Sequence, residues 1–156
     1  MKIKFDFIPQ GSKVVEKNGL FVFKDRFSSK EWDKTSTVVL DTGNALKPGL
    51  VDHHQAGEGA TESCVASLIE MYHEKYLGHL LGQEEVTIVT HYVPDLDAIG
   101  AVYFTIKYLK SEKFNSNTQL LSEYILEVDS GKLAIDPEEP VGIASVWLSV
   151  TNNDTD

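Results

Sequence analysis

The feature that most constrains this chain is a pattern that recurs along it: a short apolar run that stops at an acid or a histidine. Thr37-Val38-Val39-Leu40 runs into Asp41, Leu50-Val51 into Asp52-His53-His54, and Val86 to Thr90 into His91. A continuous apolar run without polar alternation suits a strand buried on both faces, and such strands belong to parallel sheets. In open parallel sheets the ligand binds beyond the carboxyl ends of the strands. Ionisable residues delivered repeatedly to that position predict one shared site.

The remaining segments fit around such a sheet. Lys2 to Ile8 alternates apolar and polar residues, with Ile3, Phe5 and Phe7 facing one way as in a half-buried strand. Lys13–Lys17 and Leu20–Lys24 flank Asn18-Gly19, a two-residue hairpin signal. Phe27 to Lys34 reads as a short helix or a loop. Gly57 and Gly59 mark a loop. Thr61 to Leu81 has helical spacing, with Val65, Leu68, Ile69, Tyr72, Tyr76 and Leu80 on one stripe, Thr61 as N-cap, Glu62 at the positive end of the dipole and Gly82 as the stop. Further helices are predicted from about Ala98 to Ser111, from Leu120 to Val128 and, beyond the breakers Pro137 and Pro140, over Val141 to Val150. The expected architecture is a single α/β domain over 1–156, a mainly parallel sheet flanked by helices with an N-terminal antiparallel hairpin.

Charge narrows the partners. Fourteen Lys and Arg against 24 Asp and Glu leave a net charge of −10. That opposes a basic groove for long nucleic acid and docking on an anionic membrane. The single cysteine, Cys64, excludes an internal disulfide framework and a Cys-rich zinc site. No apolar run approaches the ~20 residues of a membrane span, and the first residues hold no signal-peptide run. The expected location is cytoplasmic.

Three clusters carry the chemistry: Asp41; Asp52-His53-His54; and His91, Asp95 and Asp97, the last followed by Gly100. Their four carboxylates and three imidazoles have few nearby cations. Packed carboxylates raise each other's pKa unless positive charge sits between them, and divalent metal supplies it. Mixed carboxylate and imidazole ligands suit manganese, iron, cobalt or zinc better than calcium. The number of ligands exceeds one tetrahedral zinc and fits two metals ~3.5–4 Å apart, the machinery of hydrolytic phosphoryl transfer. Any one Asp at a strand end is more often a turn or cap residue; it is the joint arrangement that favours metal. His73, His79, Asp6, Asp25, Asp33, Asp154 and Asp156 read as solvated, Trp32 and Trp147 as packing, and Cys64 as a small core residue.

Asp52-His53-His54 and His91-Tyr92-Val93-Pro94-Asp95-Leu96-Asp97-Ala98-Ile99-Gly100 together resemble the two signatures of the DHH phosphoesterase superfamily. Val39-Leu40-Asp41-Thr42-Gly43 is similar to its strand-end aspartate motif, and Glu127-Val128-Asp129-Ser130-Gly131 to its last aspartate motif, the weakest of the matches. The resemblance spans Val38 to about Gly131. It implies two ions, usually manganese, with magnesium or cobalt as alternatives. His91, Asp95 and Asp41 would hold one; Asp97, Asp41, His53 and Asp129 the other, with Asp41 bridging. His54 would face the substrate phosphate and Asp52 would orient the histidines. The implied activity is hydrolysis of a phosphodiester, phosphomonoester or phosphoanhydride in a small substrate, such as a short oligonucleotide, a nucleotide or a pyrophosphate-like compound.

Two departures stand against the family pattern. The His-Asp-Asp segment follows the tripeptide instead of preceding it, so either the motif order is permuted or an element is missing. The Gly-rich second domain usual in the family is not found in these 156 residues, which are then a fragment or a minimal form that relies on a partner. Two other functions compete. One is a non-catalytic metal- or nucleotide-binding module. The other is a haloacid-dehalogenase-type phosphatase, because Asp95-Leu96-Asp97-Ala98 resembles that family's two-aspartate loop. It has Ile99 where that family has Thr or Val, and it leaves Asp52-His53-His54 without a role.

Overall fold

Two sheets organise the computed structural model, which describes residues 1–54 and 63–131. The larger has five strands in the order β1-β8-β5-β7-β6, formed by β1 (Lys2–Ile8), β5 (Thr37–Leu40), β6 (Leu46–Lys47), β7 (Leu50–Val51) and β8 (Glu85–His91). β1 and β5 both run parallel to β8, and β7 runs parallel to β5; only β6 is antiparallel. The smaller sheet is antiparallel, formed by β2 (Val14–Lys17), β3 (Leu20–Lys24) and β4 (Ser29–Asp33). Three helices complete the described fold: α1 (Val65–Leu77), α2 (Leu96–Leu109) and α3 (Ser116–Asp129).

Side-chain alternation assigns the layers. Val38, Leu40, Val51, Val86 and Ile88 point to one side, where they bury against Val65, Ile69, Ala101, Phe104 and Ile125 of the helices. Val39, Leu50 and Val89, offset by one residue, point to the other side and bury against Val14, Phe21, Phe23 and Trp32 of the small sheet. All four residues of β5 are buried, as a strand covered on both faces requires. The helices therefore cover one face and an antiparallel sheet the other.

The Asn18-Gly19 hairpin forms with both residues at positive φ, the geometry that matches strand twist. Phe27 to Lys34 is neither helix nor loop as a whole: Ser29–Asp33 is the third strand of the small sheet, where alternation carries Trp32 inward among flanking polar residues. Phe5 and Phe7 do not reach the core. β1 is an edge strand among the described residues, and they stand 50% and 36% exposed.

α1 starts later than the spacing suggests, with Cys64 as N-cap, and breaks at Tyr72, whose non-helical backbone (φ −126°, ψ 37°) turns that residue out of the apolar stripe. Thr61, Glu62, Gly57 and Gly59 lie outside the described residues, as do Pro137, Pro140, Val141 to Val150, Trp147, Asp154 and Asp156. His73 and His79 are not simply solvated. The His73 ring stacks on Phe114 at 4.1 Å, and His79 Nε2 lies 3.1 Å from the Thr37 carbonyl oxygen. Asp6 is half-buried, accepting bonds from Lys30 Nζ at 2.6 Å and Trp32 Nε1 at 2.9 Å. No described helix is long and apolar enough to cross a membrane.

Candidate metal centre

The sheet order puts β8, β5 and β7 side by side and parallel, so their carboxyl ends lie in one row at strand spacing of ~4.8 Å. His91 closes β8, Asp41 follows β5, and Asp52-His53-His54 follows β7. The chain leaves β8 through a short turn and enters α2, whose first residues bring Asp95 and Asp97 back over the same edge. α3 ends there too, at Asp129. Every residue singled out in the sequence is thus carried to one place.

Asp41 stands at the centre. Its backbone has φ +60°, a left-handed conformation that a non-glycine residue holds only when its surroundings over-determine it. The Asp41 N–H donates to the Val51 carbonyl at 2.9 Å, fixing the turn against β7. Two residues on, Gly43 has φ +103°, and a Cβ there would fall 2.6 Å from Leu50 Cδ1, so a side chain is excluded on both counts. The Asp41 carboxylate is buried at 1% exposure and its two oxygens face different histidines. Oδ2 is 3.0 Å from His91 Nε2, and Oδ1 is 3.9 Å from His53 Nε2.

Around this carboxylate two groups form. Asp41, His91 and Asp95 have ligand atoms within 4.8 Å of one another, and so have His53, Asp97 and Asp129; Asp41, His53 and His54 make a third, overlapping group. His91 Nε2 is 3.8 Å from Asp95 Oδ1. His53 Nε2 is 3.6 Å from Asp97 Oδ2 and 3.8 Å from Asp129 Oδ2. Donor atoms each ~2.1 Å from one cation stand ~3.0 Å apart at a right angle and ~4.2 Å apart when opposite, and the separations here fall in that range.

The groups around the centre also orient it. His91 Nδ1 is 3.1 Å from the Tyr92 carbonyl, which holds its proton on Nδ1 and presents Nε2 to Asp41. Asp52 is buried, accepts from the Asn44 N–H at 3.0 Å, and sets its other oxygen 2.5 Å from His54 Nδ1. His54 itself is exposed, with 55% of its side chain open. His53 and His54 therefore part company: one is buried among carboxylates, the other stands at the mouth.

Electrostatics mark the same residues. Burial, then the charges of Asp97 and Asp95, push the Asp41 carboxyl up to about 10. Burial and Asp97 also push Asp129 up. Asp41 Oδ1 and His53 Nδ1 are buried atoms without a hydrogen-bond partner, as is the hydroxyl of Thr42 next in the chain. Unpartnered buried polar atoms are costly, and an unpaired carboxylate oxygen 3.9 Å from His53, in the field of Asp97, Asp95 and Asp52, is what a cation would satisfy. On donor type, spacing and the orphaned oxygen, the residues present fit two divalent ions.

Sequence spacing did not reveal a second job of Asp97. Its Oδ1 accepts from Ala66 N–H at 2.7 Å and its Oδ2 from Val65 N–H at 3.1 Å, so it also anchors the N-terminus of α1, 31 and 32 positions away in sequence. Nor did it mark Cys64 as an N-cap, its thiol pushed up by burial and then by Asp97. No protein-family model, curated protein or solved structure matches this chain.

Proposed function

We propose that this chain is a divalent-metal-dependent phosphoesterase of the DHH type, with the motif order permuted, that hydrolyses a phosphate ester or anhydride in a small anionic substrate. The observation that carries this reading is the split of the Asp41 carboxylate, one oxygen toward His91 and the other toward His53, each backed by its own aspartates. A single structural ion or a simple helix cap needs no such division. His91, Asp95 and Asp41 would hold one ion; Asp97, His53, Asp129 and Asp41 the other, with manganese the expected metal. Bound there, divalent ions supply Lewis-acid polarisation of a phosphoryl oxygen and acidification of an attacking water.

The chain's own residues do the rest. Asp52 holds Nδ1 of His54, which leaves Nε2 for a phosphoryl oxygen, and in its protonated form that nitrogen donates to the charge that builds in the transition state. The exposure of His54 beside a buried cluster suits contact with a substrate arriving from solvent. Two divalent ions would change the net charge from −10 to −6, easing approach of an anion.

The test is turnover. Protein stripped with chelator and reloaded with manganese should hydrolyse bis-p-nitrophenyl phosphate or release phosphate from pyrophosphate. Asp41→Asn should abolish either activity. A chain that binds manganese yet turns over neither compound, nor short oligonucleotides, would leave the non-catalytic metal-binding module as the function.

A further inference from the structure

The outer edge of a sheet is a row of unpaired N–H and C=O groups, a template for another strand unless the edge is short, bulged, broken by proline or covered. β1 is seven residues long, holds no proline, and runs in unbroken register from Lys2 opposite Glu85 to Ile8 opposite His91. Among the described residues it pairs with β8 alone. Its backbone groups divide by alternation. Lys2 N–H donates to the Glu84 carbonyl at 2.8 Å, and the Ile8 carbonyl accepts from Tyr92 N–H at 2.9 Å. The even-numbered residues therefore turn their polar groups toward β8, and Ile3, Phe5 and Phe7 turn theirs outward. Asp6 Oδ1 accepts from the outward Phe7 N–H at 2.9 Å; no described residue accepts from Ile3 or Phe5 N–H.

The side chains divide in the same way. Ile3 packs against the helix-covered core, so Phe5 and Phe7 stand on that face too, exposed, with the Tyr92 ring stacked on Phe7 at 6.2 Å and itself 54% exposed. Asp6, bonded to Lys30 and Trp32 of β4, stands on the other face, and Lys2 and Lys4 share it by alternation. The charges of β1 thus lie on one face only, and an open edge is left beside an apolar, aromatic one. Exposed apolar patches of this kind mark interfaces.

The strand is complementary to itself in one register. Two antiparallel copies exchange bonds where outward residues face outward residues, so a twofold axis between them falls on a residue and not between two. On Ile3, the axis sets Lys2 opposite Lys4; on Lys4 or on Asp6, it sets that charge opposite its own copy. On Phe7, it sets Phe5 opposite Pro9, which has no N–H to give. On Phe5, Lys4 faces Asp6, Ile3 faces Phe7 and Phe5 faces Phe5. Opposite charges across a strand pair stabilise it and like charges destabilise it, so charge selects this register. There Phe5 N–H meets the Phe5 carbonyl of the other copy and Ile3 N–H meets the Phe7 carbonyl, each twice by symmetry, without drawing the Phe7 N–H from Asp6.

We infer that β1 is the edge on which a second copy of this chain docks, antiparallel about Phe5, joining two five-stranded sheets into one. Both helical layers then lie on the same side of the joined sheet, with Ile3, Phe5 and Phe7 of the two copies packed against each other between them. The partner strand points the other way, so the candidate metal centres, each at the carboxyl ends of its own strands, open at opposite edges of the joined sheet and share no ligand. The dimer stands independently of the hydrolytic reading.

Sedimentation velocity of the full chain across the micromolar range tests the association, and disulfide trapping tests the register. The parent should show a monomer–dimer equilibrium. F5E, which sets like charges at the axis on a side chain that is already exposed, should weaken it at least tenfold. Directly opposite residues in a bonded antiparallel pair have Cα atoms ~5.5 Å apart, within the ~4.4–6.8 Å that a disulfide spans. Under mild oxidation F5C should therefore cross-link to itself. I3C should not, because its symmetry mate lies four positions along the strand, roughly 14 Å away, whereas I3C mixed with F7C should. Cys64 is buried, so the parent should stay uncross-linked under the same oxidation. The trapping variants keep the test open should F5E fail to fold. A parent that stays monomeric, its edge closed by another segment or by a different partner, overturns the proposal. So does a dimer that folded F5E leaves intact, or one in which I3C cross-links to itself and F5C does not.

Discussion

Replacing Asp41 by Asn should stabilise the metal-free protein and remove its stabilisation by metal, two effects of opposite sign from one substitution. Asp41 is 1% exposed and its carboxyl is raised from 3.8 to about 10 by burial and by Asp97 and Asp95. A carboxyl whose pKa is raised on folding stabilises the native state fully below its unfolded value. That contribution is lost as pH rises through the folded value. Across neutral pH the native state keeps a proton that the unfolded chain has released, so stability falls by ~1.4 kcal/mol per pH unit for that one proton. Between pH 5 and pH 8 the loss is about 4 kcal/mol, which for a chain of this size is roughly 8–16 °C in melting temperature. Asn is the neutral isostere and carries no such slope. Thermal melts in chelator at pH 5, 6, 7 and 8 should show the parent falling relative to Asp41→Asn, with the variant more stable at pH 8. Adding manganese at pH 7.5 should raise the parent's melting temperature by mass action and leave the variant unmoved. Parallel melting curves against pH, or a variant stabilised by manganese as much as the parent, would refute the account of Asp41.

The two adjacent histidines should separate: His54→Ala should keep the metal content and lose turnover by about 10²–10³-fold. His53→Ala should instead lose metal, with activity partly regained at high manganese; equal metal loss in both variants would undo the division of roles. Gly100→Ala should destabilise the protein by about 1–3 kcal/mol, because a Cβ there would lie 2.5 Å from Ile125 Cδ1 and 3.1 Å from Ala66 Cβ; an unchanged melting temperature would show that the α1–α2–α3 contact has slack. Asp97→Asn should lower the melting temperature even in chelator, since an amide offers only one oxygen to the N–H groups of Val65 and Ala66; a loss of stability seen only in the presence of metal would show that the helix anchor contributes nothing.

What could be read from the sequence depended on whether a feature is local. β5, β8 and the Asn18-Gly19 hairpin announce themselves because burial on both faces and a positive-φ turn leave marks within a few residues. Ser29–Asp33 was missed because its one buried side chain, Trp32, sits in a polar run, and only pairing with β3 makes it a strand. The placement of Phe5 and Phe7 was missed for a related reason: alternation says that Ile3, Phe5 and Phe7 share a face, not whether anything covers that face at the edge of a sheet. Asp97 as the anchor of α1 has no sequence signature, because the bonds it accepts come from a helix placed beside it by the fold.

The motif order that the proposed reading requires is accommodated once the candidate ligands are traced to their elements. Each one stands at an element terminus: Asp41, His53 and His91 at the carboxyl ends of β5, β7 and β8, Asp95 and Asp97 at the start of α2, and Asp129 at the end of α3. A parallel sheet gathers such termini on one edge whatever the order in which its strands are laid down, provided the strands concerned are neighbours. Here β8, the last described strand in sequence, is inserted between β1 and β5, which places His91 next to Asp41 although 50 positions separate them. The geometric requirement on a two-ion site falls on adjacency in the sheet, and β8-β5-β7 meets it. A permuted chain could therefore present the same candidate ligands, with the residue proposed to bridge the ions on the middle strand of the three, where Asp41 stands.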